Sequence, residues 1–144
     1  DFAANTPIDT CDGTNPYDPN FTSSVSSYCS TNYWAGAIKS CKDKGMELPT
    51  RAQLAQLASN LYVDSNGDEV EIAYNENKSG IKVKDEYKDN PPITLGFECY
   101  YWSSVERNSG TAYRRTFNTT NSYASDNYWG FKNYSTPRAV CISN

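Results

Sequence analysis

The stretch Tyr33–Leu57, "YWAGAIKSCKDKGMELPTRAQLAQL", decides the fold. In its first half Trp34, Ile38 and Cys41 fall at i, i+4 and i+7, one face of a helix. Gly45 supplies the stop, because glycine takes the left-handed position after a helix without penalty. Leu48-Pro49-Thr50 opens a second helix, with Thr50 as N-cap. Gln53, three residues on, completes a capping box. Leu54, Leu57, Ala58 and Leu61 form its buried stripe.

Before this pair, residues 1–29 lack helical periodicity and carry Pro7, Pro16, Pro19 and a serine-rich run. They read as an irregular N-terminal segment, part of the domain or leading into it, pinned by a Cys11–Cys29 bridge. After the pair, "YVDSNGDEVEIAY" reads as a hairpin turning at Asn66-Gly67. Asp64, Asn66 and Asp68 also imitate the start of a calcium loop. Glu69 and Asn75, however, stand where such a loop needs glycine and glutamate. "NKSGIKVKDEYKDNPP" is an exposed loop with a short strand at Ile81–Val83. "ITLGFECYYWSS", "TAYRRTF" and "RAVCI" are β-prone. Helix, helix, then several short strands is an α+β order, two helices packed on short antiparallel strands.

The 144 residues suit one domain, expected over residues 30–144. The apolar share is 38% and the mean hydropathy −0.74, but aromatics, mostly tyrosine, reach 14%. That aromatic content counts against disorder. A net charge of −4 counts against a nucleic-acid or anionic-membrane binder. No apolar run approaches the roughly 20 residues that span a bilayer, so this segment is not expected to insert into a membrane. A start at Asp1 rather than Met is what processing or trimming leaves. There are five cysteines, no CxxC and no histidine, so neither a metal nor a cofactor is expected. Widely spaced cysteines among many Asn, Tyr, Ser and Thr fit an extracellular or cell-surface setting. The odd count leaves one thiol free or intermolecular.

Three motifs stand in order: the Tyr33–Leu57 stretch, "YYWSSVE" at Tyr100–Glu106, and "RAVCI" at Arg138–Ile142. Together they resemble the C-type-lectin-like fold in its compact bacterial form. The resemblance implies a disulfide from the first helix to the last strand, here Cys41–Cys141. It closes a loop of about 100 residues, worth roughly 4–5 kcal/mol in the chain-entropy model. Cys99 is then the odd thiol, expected to be buried as a small hydrophobe. Asn90-Pro91-Pro92 and Trp129-Gly130 stand where calcium-dependent lectins carry their sugar motifs, so that site is absent by motif. Formylglycine-generating enzymes share the fold class but are much longer, and their chemistry does not carry over.

A second branch of the same fold, the variable proteins of diversity-generating retroelements, is the closer resemblance. Those proteins are mutated at template adenines near the C-terminus. Changes in Asn codons give Tyr, Asp, His, Ser, Thr or Ile. The segment Asn108–Tyr134 is dominated by Asn, Tyr, Ser, Thr and Asp, and it lies just before "RAVCI". The resemblance implies ligand contacts at Asn108, Tyr113, Arg115, Asn118, Thr119 and Asn121. It extends them to Tyr123, Asp126, Asn127, Tyr128, Trp129 and Tyr134. Antibody paratopes use the same mixture of rigid aromatics and adaptable polar groups. The expected partner is a protein or cell-surface ligand, with a pilus or anchor partner compatible. A pilin-like structural subunit with an undiversified polar surface is the alternative, and a prion-like segment a further one. Glu98 and Glu106 flank "CYYWSS", but without His or a nucleophile motif no enzyme is expected. Ser103-Ser104 read as turn residues, and Trp102 as core.

Overall fold

The computed structural model describes residues 32–108, 110–124, 128–134 and 136–143. The irregular segment 1–29 and the Cys11–Cys29 pairing lie outside these residues. Helix α1 spans Tyr33–Asp43 and starts at Asn32, whose side chain accepts from Ala35 N–H at 2.9 Å. Its last turn closes through Lys44, and Gly45 follows at φ +71°, the left-handed conformation the sequence asks of it. Helix α2 spans Arg51–Leu61. Both halves of its capping box are present: Gln53 N–H donates to Thr50 Oγ1, and Thr50 N–H donates to Gln53 Oε1.

Among the described residues seven short strands follow: β1 Tyr62–Asp64, β2 Lys78–Ser79, β3 Ile81–Val83, β4 Tyr100–Asn108, β5 Thr111–Thr116, β6 Asn121–Ser122 and β7 Trp129–Phe131. They form three antiparallel sheets, β1-β3, β2-β6 and β4-β5-β7. The architecture is α+β, two helices with small antiparallel sheets. Among the described residues no helix is long and apolar enough to cross a membrane.

Neighbouring residues of β4 point to opposite faces, and the core divides accordingly. Tyr101 joins Leu54, Leu57 and Leu61 of α2 with Tyr62, Ile93, Phe117 and Val140. Trp102 joins Trp34, Ile38 and Cys41 of α1 with Leu48, Ala112 and Ala139. Trp34 Nε1 donates to Ser103 O at 2.7 Å, fastening α1 to β4. Cys41 and Cys141 form a disulfide, Cα to Cα 5.3 Å, that ties α1 to the C-terminal segment.

Five expectations change here. "RAVCI" is not a continuous strand, because it switches partners after two residues. Arg138 bridges Tyr101 in parallel, and Ile142 bridges Glu47. The turn at Asp64–Asp68 forms and closes with a single antiparallel bridge, Val63 to Glu69, but the continuous partner of β1 is β3. That segment is drawn to α2 instead, where Ile72 is buried and its N–H donates to Ser59 Oγ. "ITLGFEC" is not strand: Gly96 at φ +155° and Glu98 at φ +55° break the extended backbone before β4 begins. Ser103 is not in a turn but in β4 at a register irregularity, where its Oγ donates to Tyr113 O and accepts from Val105 N–H. Cys99 carries a free thiol, as expected, yet it is only half-buried.

Candidate functional site

Strand β5 is the middle strand of the β4-β5-β7 sheet, so Arg114 and Arg115 must face opposite sides. Arg115 goes inward and is 1% exposed. Its Nη2 donates to the carbonyls of Ala73, Tyr74 and Glu76 at 3.1, 3.3 and 3.2 Å. Its Nη1 donates to Ser122 Oγ at 2.9 Å. Burial, with Arg51 nearby adding to it, pulls the guanidinium down to about 10. Arg115 is therefore no ligand contact. The looped segment 73–76 presents converging carbonyls, and a guanidinium is the side chain with enough donors to meet them.

Arg114 goes the other way and is half-buried. Its guanidinium lies 3.9 Å from the Tyr100 ring centroid. On its other side is Gly130, where an added Cβ would stand 3.0 Å from Arg114 Nη1. Only a residue without a side chain leaves that slot open. Burial pulls Arg114 below the usual range, while Tyr100, Tyr134, Tyr128 and Glu98 act to hold its charge.

Beside this slot is an open depression of about 190 Å³. Phe97, Glu98 and Tyr100 line it from the approach to β4. Thr116, Asn118, Asn121, Tyr123 and Tyr128 line it from β5 onward. The Tyr123 and Tyr128 rings meet at 5.8 Å. Phe97 is 85% exposed. Along β7 and beyond, Trp129, Phe131 and Tyr134 stack edge to face at 5.4 and 5.3 Å, and Arg107 sits 4.3 Å over the Trp129 ring. Larger depressions of about 310 and 360 Å³ lie beside β1, β3 and α2, but no aromatic residue lines them. Chemistry rather than size singles out the smaller one.

Of the sequence-predicted contacts, Asn118, Asn121, Tyr123 and Tyr128 meet at this depression. Trp129 and Tyr134 belong to the neighbouring aromatic row. Thr119 is exposed, its N–H donating to Asn118 Oδ1 at 2.6 Å. Asn108 is exposed but holds the β4-β5 turn, accepting from Gly110 N–H and Thr111 Oγ1. Tyr113 shares the Arg115 side of β5 and packs under Arg51, 4.0 Å from the ring centroid. Asp126 and Asn127 lie outside the described residues. The sequence reading missed Arg114, Tyr100, Phe97 and Phe131 as members of this surface. The alternation of "TAYRRTF" separates the two arginines, but it cannot say which one is inside.

Asp64 Oδ1 accepts from Asn66 and Asp68 N–H at 2.8 and 2.9 Å, so this carboxylate serves the turn. Among the described residues no group of three His, Cys, Asp or Glu could hold a metal ion. Glu106 pairs with Lys132, which is 3% exposed and also sits 4.5 Å over the Trp34 ring. Glu98 is exposed on its own turn. No family model matches the chain, and no curated protein or solved structure matches it significantly.

Proposed function

We propose that this chain is a ligand-binding module of the C-type-lectin-like kind, displayed outside the cell as a receptor or adhesin. In this reading its binding face is built from Asn108–Tyr134 and diversified by a retroelement. One observation carries the proposal: the backbone of residues 116–124 is held mostly by groups that do not face the depression. Arg115 binds Ser122 from inside, Asn77 Oδ1 accepts from Ala124 N–H at 2.8 Å, and β6 pairs with β2. Arg51 donates to Ala124 O at 3.1 Å. Side chains at Thr119, Asn121, Tyr123 and Tyr128 are then free to change without loss of the backbone, and the Asn118 side chain accepts only from Thr119 beside it. Such a surface of rigid rings and adaptable amides suits protein-like ligands. The Cys41–Cys141 bridge fits an oxidising compartment.

The test is genomic and direct. The locus should carry a near-copy of the sequence encoding Asn108–Tyr134, differing at adenines, beside a reverse transcriptase. Sibling copies should differ at Asn118, Asn121, Tyr123 and Tyr128 and keep Arg115 and Gly130. Without a near-copy, the pilin-like subunit with a fixed polar surface becomes the better reading.

A further inference from the structure

We propose that Arg114 is the anion-binding point of this face, taking the carboxylate of an Asp or Glu side chain on a protein partner. The inference rests on the ligand-binding reading above and adds the chemistry of what is bound. The Arg114 guanidinium donates no hydrogen bond among the described residues, and its Nε is buried without a partner. Buried donors are nearly always satisfied, so an orphaned one needs a reason. The Nε of its neighbour Arg115 is unpartnered too, but the Arg115 Nη atoms donate to Ser122 Oγ and to the carbonyls of Ala73, Tyr74 and Glu76, whereas neither Nη of Arg114 meets an acceptor among the described residues.

The guanidinium is also held in place in advance. The Tyr100 ring stacks on it, and Gly130 leaves the slot on its other side. A planar fork fixed by stacking suits a planar carboxylate, which it can bind through two parallel bonds. Glu98 acts on Arg114 at range and makes no hydrogen bond to it, so an arriving carboxylate displaces no bonded group. The setting favours a protein as the source. Arg, Tyr and Trp are the residues that carry most binding energy in protein interfaces. Here Phe97 stands almost fully exposed beside an open depression, which suits a side chain next to the acidic one.

The experiment follows the Arg114 Nε–Hε signal by NMR in the full chain. The probes are N-acetyl-glutamate N-methylamide, its glutamine analogue, and N-acetylneuraminic acid. The glutamate probe should shift the signal saturably, the glutamine analogue should not, and Arg114→Lys should weaken the binding seen at nearby tyrosines. Glu98→Gln removes the competing charge and should tighten the glutamate probe roughly threefold. No saturable shift, or equal shifts with both amides, would overturn the proposal. So would unchanged affinity in Arg114→Lys, since the fork would then have no part. Tighter binding of the acidic sugar would overturn the assignment to a protein partner. Shifts at Tyr123 and Tyr128 with Arg114 silent would sink the anion site alone. The ligand-binding reading fails separately, at the locus.

Discussion

Arg114 and Arg115 are adjacent in sequence, yet their replacement by methionine should have very different effects on stability. Arg115→Met removes a charged donor from Ser122 Oγ and from the carbonyls of Ala73, Tyr74 and Glu76. Each hydrogen bond to a charged group is worth about 1.5–3 kcal/mol, but the guanidinium's own desolvation offsets part of the sum. What remains is the cost of a hydroxyl and three part-buried carbonyls left without their donor, at about 1 kcal/mol or a little more each, about 3–5 kcal/mol in all. For a domain of this size that lowers Tm by roughly 10–15 °C. Arg114→Met removes only a ring contact at a half-buried site, worth about 0.5–1 kcal/mol. Thermal and urea unfolding of the two variants beside the parent measure the difference. Equal losses, or an Arg115→Met midpoint within about 3 °C of the parent, would refute the inward placement of Arg115.

Three further outcomes are expected. Tyr123→Ala and Tyr128→Ala should each cost about 1 kcal/mol or less, the worth of one aromatic pair, whereas Trp102→Ala should cost about 3–5 kcal/mol by urea denaturation. Equal costs would mean that the depression is part of the core. Replacing Cys41 and Cys141 together with serine should remove about 4 kcal/mol, from a closed loop of 100 residues, and make the urea midpoint insensitive to reductant. Burial raises the Tyr62 and Tyr101 phenols above their ordinary value near pH 10. The unfolded chain ionises them first, so their contribution is intact below about pH 10 and is lost as pH rises further. Ultraviolet titration followed with circular dichroism should show these two ionising only as the fold is lost. Reversible ionisation near pH 10 in the folded protein would contradict the burial.

The helices were legible because their signals are local. Caps, a C-terminal glycine and an apolar stripe act within one or two turns, and Thr50, Gln53 and Gly45 sit where those rules put them. The strands were legible in composition but not in pairing. "YVD" is β-prone on its own account, yet beyond one bridge to Glu69 its partner is Ile81–Val83, because the chain after Glu69 is drawn to α2 at Ile72. "RAVCI" is equally β-prone, and its two halves bridge different segments.

The sequence by itself settled which segments become helix, which turn at Asp64–Asp68, and that a polar, aromatic stretch precedes the end of the chain. Those outcomes depend on neighbours within a few positions. Only the tertiary structure decided which arginine of "TAYRRTF" is core and which is surface. Period-two alternation sends them to opposite faces, but the carbonyls of 73–76 that claim Arg115 are about forty residues away in sequence, too far for any local pattern to register. The same folding leaves Arg114 between Tyr100 and Gly130 with a donor unspent.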